Sequence, residues 1–333
     1  MKRLYIILLL IIIVLSGCSK LLVNEPDSNL NMEDFNSAWQ IAEKYYPFFK
    51  FKNIDWHSLY IKYEPIAEAA KGDEIYNVLY QMFRELKDGH IEILTEGGFP
   101  IMTYDWPRDI DKKTFSSNVV SSYFNSPLQL AGENNYDYRI TPGNIGYVYI
   151  STFSNGDGNW YKDFDKITKY FQNTKGIIVD VRNNEGGDNF TWNFIVSRFV
   201  VTPITYSFYL ANGVPFITST IKPEGEYQYR KPVVVLANGA SFSATELFVE
   251  LMKQIPNVTV IGDTTGGGGG STGTYNLPSG KRIQIPDKYF RKFNGDMIEW
   301  NGVSPNIFVK QTSEDIANGN DKQLEYAINF LNK

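Results

Sequence analysis

Between residues 31 and 86 apolar side chains return every three or four positions, as in Phe35, Trp39, Ala42 and Tyr46, then Tyr76, Leu79, Met82, Phe83 and Leu86. That period predicts amphipathic helices. It breaks at Tyr46-Pro47-Phe48 and at Lys71-Gly72-Asp73, and Asp55 ahead of Trp56 reads as an N-cap, so three helices are expected in a small helical subdomain over residues 31–93. Residues 94–143 lose the period and collect Gly, Pro, Asn and Asp around short extended pieces such as 119–124, the pattern of an irregular β-containing connector. After Pro142-Gly143-Asn144, β-branched runs at 145–150, 176–181, 232–237 and 258–262 alternate with amphipathic helices, which predicts an α/β domain over residues 144–333. These runs show little polar alternation, so their strands should be buried on both faces. Ala244, Leu247, Phe248, Leu251, Met252 and Ile255 share one face of one helix, Trp160, Phe164, Ile167 and Phe171 one face of another, and Leu324, Ala327, Ile328 and Leu331 mark the last.

The first twenty residues follow a different rule. Lys2 and Arg3 precede an unbroken apolar run over residues 4–15, followed by Ser16, Gly17 and Cys18. Twelve apolar residues are too few to span a bilayer, which takes about 20, and the layout is that of a signal peptide. Leu15-Ser16-Gly17-Cys18 resembles the lipobox of bacterial lipoproteins, which implies a signal peptide over residues 1–17, lipidation of Cys18 and a polar tether over 18–30. The same Cys18 would otherwise be a free thiol just past an ordinary cleavage site. It is the chain's one cysteine, so no disulfide framework is possible. Cleavage before Cys18 removes two basic and no acidic side chains and leaves 316 residues with a formal charge of −7, against −5 for the whole chain. Acyl chains rather than basic surface would then hold the protein to a membrane of the bacterial cell envelope. The acidic balance also removes nucleic acid as an expected partner.

Two histidines, His57 and His90, limit the chemistry. With one lipidated cysteine they leave only carboxylates for a metal, so neither metal nor other cofactor is expected. The glycine run 266–270 before Ser271 lacks the lysine of a phosphate loop. A serine nucleophile is a further possibility. Residues 233–246 run from a buried strand through Asn238-Gly239-Ala240-Ser241-Phe242-Ser243 into a helix, where free N–H groups and the positive dipole end would stabilise an oxyanion. Ser243 and Glu246 equally make an S-x-x-E capping box, which an ordinary helix would also have. His90 ends Lys87-Asp88-Gly89-His90, at the junction of a helix and an extended segment, where it could serve as a base or be a satisfied turn histidine. His57 sits in a helix start with no motif around it. Asp180, inside the apolar run 176–181, needs a partner such as Arg182 or a backbone donor, and Gly186-Gly187 in the turn that follows permit close backbone approach.

Taken in order, Lys87-Asp88-Gly89-His90, Gly146-Tyr147-Val148-Tyr149-Ile150, Asp180-Val181-Arg182-Asn183-Asn184-Glu185-Gly186-Gly187 and Ser241-Phe242-Ser243-Ala244-Thr245-Glu246 resemble the tail-specific, or C-terminal processing, serine peptidases. Ile261-Gly262-Asp263-Thr264-Thr265-Gly266 and the stretch from Ile298 to Asn306 continue the resemblance, which covers most of residues 31–333. It implies a crotonase/ClpP-like β/α spiral core with an N-terminal helical subdomain, and it makes Ser243 the nucleophile with Ser241 a neighbour. Members with a Ser-Lys dyad place the lysine at the position of Gly268, and no lysine lies between Lys253 and Lys281. The tricorn-like branch instead implies His90 as general base and Glu299 as the acid that orients it, directly or through an intermediary. Where that branch has a serine before the histidine, this chain has Gly89. Backbone N–H groups of Gly187, Gly186 and Ala244 would form the oxyanion hole. The span of 55 positions from His90 to Ile145 is too short for the PDZ domain that many members carry. The expected activity is therefore that of an envelope serine endopeptidase acting on peptides or unfolded proteins. The alternative is an inactive peptide- or glycan-binding lipoprotein on the same fold, prompted by an aromatic load that includes Trp39, Trp56, Trp106, Trp160, Trp192 and Trp300. Nothing in the sequence sets the oligomeric state.

Overall fold

The computed structural model describes residues 28–95, 100–104, 111–155 and 158–333, so the signal segment, Cys18 and Trp106 lie outside the described residues. The N-terminal apolar period becomes four helical segments, α1 (Ser28–Tyr45), α2 (Phe49–Lys52), α3 (Trp56–Ala69) and α4 (Glu74–Arg84). The extra segment is the single turn α2, ended by Asn53 in the left-handed region at φ 53°. Asp55 caps α3 by accepting the N–H of Ser58 at 3.1 Å. β1 (Glu92–Leu94) straddles the end of the helical subdomain, and the connector holds β2 (Pro100–Met102), α5 (Ser117–Ser121), β3 (Gln129–Ala131) and β4 (Tyr136–Ile140).

The remainder runs β5 (Gly146–Ile150), α6 (Phe164–Tyr170), β6 (Ile177–Asp180), α7 (Asn189–Ser197), β7 (Ile204–Leu210), β8 (Pro215–Ile221), β9 (Val233–Ala237) and α8 (Ala244–Met252). It continues through β10 (Val258–Gly262), β11 (Gly270–Asn276), β12 (Arg282–Phe290), β13 (Ile307–Phe308), α9 (Ser313–Ala317) and α10 (Lys322–Leu331). The β-branched runs form the middle of a sheet ordered β13-β10-β9-β6-β5-β4-β3, parallel from β13 to β5 and closed by the antiparallel pairs β5–β4 and β4–β3. Successive side chains alternate between its faces. Ile177, Val179, Val233 and Val235 share a cluster with Phe164, Trp192 and Leu247 of α6, α7 and α8, while Ile178, Val234 and Leu236 meet Leu324 and Ala327 of α10. Helices on both faces explain the absence of polar alternation in these strands.

A second, antiparallel sheet runs β2-β1-β12-β7-β8, with β11 on the other side of β12. Its strands carry mixed patterns such as Ile-Thr-Tyr-Ser-Phe-Tyr-Leu in β7. Ile283, Ile285 and Tyr289 of β12 share one buried cluster with Phe35, Leu79 and Met82 of the N-terminal helices, and Phe290 of the same strand belongs to the cluster of the first sheet. One strand thus enters both apolar cores. Trp56, Trp160 and Trp192 are buried, so much of the tryptophan load is core.

Asp180 finds the partner its burial demands. Arg182 donates to it through Nε at 3.0 Å and Nη2 at 2.6 Å, Tyr147 donates its hydroxyl at 2.9 Å, and Arg182 Nη1 reaches Asp321 ahead of α10 at 2.8 Å. One guanidinium between two carboxylates pins the end of β6 to the start of the last helix.

Candidate active site

The turn between β9 and α8 delivers Ser243 in an unusual backbone state, φ 58° and ψ −122°, which costs a residue with a Cβ on the order of 1–3 kcal/mol. Its neighbours hold it there. Ser241 Oγ donates to Val181 O at 2.8 Å, Phe242 N donates to Asn184 O at 3.0 Å, and the Glu246 carboxylate accepts the Ser243 N–H at 3.1 Å. Glu246 thus supplies its half of the S-x-x-E box, while Ser243 Oγ makes no cap hydrogen bond and lies 2.9 Å from His90 Nε2.

His90 follows α4 in the turn leading to β1, and its ring stacks on Phe242 with centroids 4.6 Å apart. Its far nitrogen, Nδ1, lies 3.6 Å from Asp88 Oδ1, beyond hydrogen-bond range in this state, and the same oxygen accepts the His90 backbone N–H at 3.0 Å. Glu299 does not reach His90. The Lys52 ammonium stands between, 2.6 Å from Glu299 Oε1 and 3.3 Å from Asp88 Oδ2, and it also donates to Leu86 O at 3.1 Å. Tyr46 completes the group by donating its hydroxyl to Asp88 Oδ2 at 2.8 Å. Lys52 and Asp88 are thus the groups that lie between Glu299 and His90, in a chain that has glycine at position 89. His57 is exposed on α3, against the edge of Trp39.

Burial shapes the charges of this group. It pushes the Asp88 carboxyl upward, but Lys52 and His90 outweigh it and hold Asp88 well below the usual carboxylate range. Burial and the nearby Asp88 charge push Glu299 up to about 8, against the opposing pull of Lys52 and of the Gly269 N–H, which Glu299 Oε2 accepts at 3.0 Å. Burial, Asp88 and Glu299 all raise the Tyr46 phenol, keeping it a neutral donor.

The glycine run 266–270 is shaped by what it touches. Gly267 and Gly268 donate their N–H groups to the fully buried Glu246, and a Cβ at Gly268 would lie 2.3 Å from the Phe242 ring and 2.8 Å from His90 Cε1. A lysine at this position would displace the histidine it was meant to replace. Among the oxyanion donors, Gly186 is corrected. Its N–H is taken by Asn184 Oδ1 at 2.9 Å, a side chain that also accepts from Thr245 Oγ1 at 2.8 Å and donates to Ile150 O at 3.0 Å. Among the described residues, the N–H groups of Gly187 and Ala244 have no hydrogen-bond partner within the chain. Both residues line a cleft of about 220 Å³ together with His90 and Ser243. No group of three His, Cys, Asp or Glu side chains among the described residues is placed to hold a metal ion.

Residues 144–309 match the model of peptidase family S41, and residues 30–84 match the tricorn protease C1 domain. A putative peptidase from Parabacteroides merdae, solved as a crystal structure, is 32% identical, superposes with a TM-score of 0.78, and is covered over 96% of its length by 90% of this chain. The chain belongs to peptidase family S41. The carboxy-terminal processing protease CtpB of Bacillus subtilis is 29% identical over 177 residues, 52% of this chain and 35% of that protein. The tricorn protease of Thermoplasma acidophilum is 27% identical over 199 residues, 59% of this chain and 17% of that protein. The chain thus spans well under two thirds of these curated relatives. Mature CPAF complexed with lactacystin shares the fold at a TM-score of 0.67 with 14% identity. The mixed α/β core with its helical N-terminal region is accordingly the S41 architecture. Lys52 lies 36 positions before Asp88, and no sequence motif of the site contains it.

Proposed function

We propose that this S41 member is a serine endopeptidase in which Ser243 forms an acyl-enzyme with His90 as general base. The supporting observation is the 2.9 Å approach of Ser243 Oγ to His90 Nε2 beside the unengaged N–H groups of Gly187 and Ala244. In this reading Oγ attacks a peptide carbonyl as its proton passes to Nε2. The tetrahedral oxyanion sits on the two N–H groups, each worth about 2.7–4 kcal/mol in comparable sites. Collapse breaks the C–N bond while imidazolium Nε2 returns the proton to the leaving amine, and water, deprotonated by the same nitrogen, hydrolyses the ester. Asp88 supplies the negative charge behind Nδ1, and Lys52 and Glu299 fix Asp88 in turn. The substrate class is peptides or unfolded protein segments.

A fluorophosphonate probe tests the nucleophile. Labelling of wild type and none of Ser243→Ala is expected, and equal labelling of both removes the assignment. Peptide cleavage should fall by orders of magnitude in His90→Ala, and unchanged cleavage excludes the histidine mechanism. The reading includes lipid anchoring through Cys18 at the bacterial cell envelope. Incorporation of labelled palmitate should be lost in Cys18→Ala, and lipid-free wild-type protein would refute the anchor.

A further inference from the structure

Beside the cleft at Ser243 lies a larger cavity of about 550 Å³, within the usual range of binding pockets. Asn189, Phe208 and Ser271 line both, so the two spaces share a wall. Its floor and sides are aromatic. Tyr161 and Phe194 meet edge to face at 5.0 Å, Tyr206 and Phe208 at 6.0 Å, and Phe190 and Phe216 project at 77% and 57% exposure. Exposed phenyl rings gathered around one concavity are unusual on a protein surface and mark a place where apolar groups dock. Several of the polar lining groups are engaged with one another or with a neighbour. Lys288 is paired with Asp287 at 2.5 Å and lies over the Phe216 ring, and the Tyr206 hydroxyl is hydrogen-bonded with Ser219 and Asn193. Among the described residues the one lining cation is thus paired, and Glu224, which no ion pair holds, stands at the exposed rim.

We infer that this cavity is a side-chain subsite of the peptide cleft, taking a bulky aromatic or aliphatic residue of the substrate close to the bond that Ser243 attacks. The inference rests on the peptidase reading, which fixes the occupant: a chain seated in the Ser243 cleft runs past the shared wall of Asn189, Phe208 and Ser271. Elements α7, β7 and β8 build the walls, and Ser271 of β11 sits just past the glycine run 266–270, so the end of that run borders the pocket. Burying a large apolar side chain there favours its peptide over an alanine counterpart by tenfold or more in kcat/KM.

The test is a digest of a diverse peptide mixture by the full protein, read by mass spectrometry, with fluorophosphonate labelling of every variant. Phe190→Ser and Phe216→Ser, alone and combined, alter exposed rings that support no core packing. The expected result is enrichment of Phe, Tyr, Trp, Leu or Met at one fixed position relative to the cleaved bond, at least tenfold over Ala, reduced toward parity in the double variant while labelling rates stay at wild-type level. Intact labelling with no enrichment, or with enrichment that the double variant keeps, overturns the subsite while leaving the nucleophile standing. No labelling and no cleavage by wild type overturns the peptidase reading and the subsite with it.

Discussion

The buried chain behind His90 is exposed to a single substitution, Lys52→Met, which keeps most of the apolar stem and deletes the ammonium. In the wild type that ammonium lies 2.6 Å from one carboxylate and 3.3 Å from another, with its side chain fully buried. At an effective dielectric near 20 the attraction to ionised Asp88 at 3.3 Å amounts to roughly 5 kcal/mol, and Glu299, which holds its proton until pH approaches 8, adds a hydrogen bond. Relieving the ammonium of its own desolvation returns several kcal/mol, so the expected net loss is about 3–5 kcal/mol, the usual cost of leaving a buried charge without its partner. Part of that loss is avoided if Asp88 takes up a proton, and this removes the negative charge facing Nδ1 of His90. Neutralising the acid of a serine-histidine-acid set costs up to about 10⁴ in turnover, so a fall of about 10²–10⁴ in kcat/KM is expected. Urea unfolding followed by peptide cleavage measures both. Lys52→Met combined with Glu299→Gln removes one of the two acids and should recover part of the stability without recovering activity. A Lys52→Met protein within about 0.5 kcal/mol of wild type, with unchanged kcat/KM, would refute the electrostatic role given to this group.

Glu299 makes stability depend on pH. Its folded carboxyl is pushed up to about 8 from an ordinary value of 4.5, so the folded state holds the proton more tightly than the unfolded state. This contribution is complete below pH 4.5 and is lost as pH rises through 8. Thermal melts between pH 5 and 8.5 should therefore show a component of declining Tm that Glu299→Gln lacks, and parallel profiles for the two proteins would contradict it. Gly268→Ala places a methyl against the Phe242 ring and His90 Cε1. Overpacking of this kind typically costs about 1–3 kcal/mol. The fluorophosphonate labelling rate should drop tenfold or more in a protein that remains folded by circular dichroism, and wild-type labelling would show that His90 has slack.

The parallel strands were legible because uninterrupted β-branched runs leave few alternatives, and residues 258–262 form a strand over that same span. Ser243 and His90 were reached through the resemblance. Spacing alone favours a cap for the serine and makes the histidine as much a turn residue as a base. The second sheet was not legible. Strands such as β12, with Pro286 and three charged residues among nine, carry no clean alternation, because Ile283, Ile285 and Tyr289 meet the helices while the adjacent Phe290 enters the core of the first sheet. Lys52 escaped notice because a lysine in the four-residue helix Phe-Lys-Phe-Lys reads as solvated, and only the approach of two distant carboxylates makes its burial tolerable. Asp88 was visible within Lys87-Asp88-Gly89-His90, but nothing in one dimension shows that it, rather than Glu299, lies behind the ring. The engaged N–H of Gly186 is hidden in the sequence for a similar reason: Asn184, two residues earlier, folds back on it.

His90 and Ser243 are separated by 153 positions, and Lys52 and Asp88 belong with the helices while Glu299 arrives near the other end of the chain. Contacts this distant along the chain form only after long loops have closed, so they come late in folding. On the peptidase reading proposed above, hydrolytic competence is then a property of the finished molecule: a chain with its spiral core formed but its helices undocked would hold Ser243 without His90 beside it. The strand β12, shared by both apolar clusters, is the joint across which that competence is won or lost. Heat or denaturant that loosens the joint should silence the protein before the core sheet melts, sparing it from digesting its own half-folded copies.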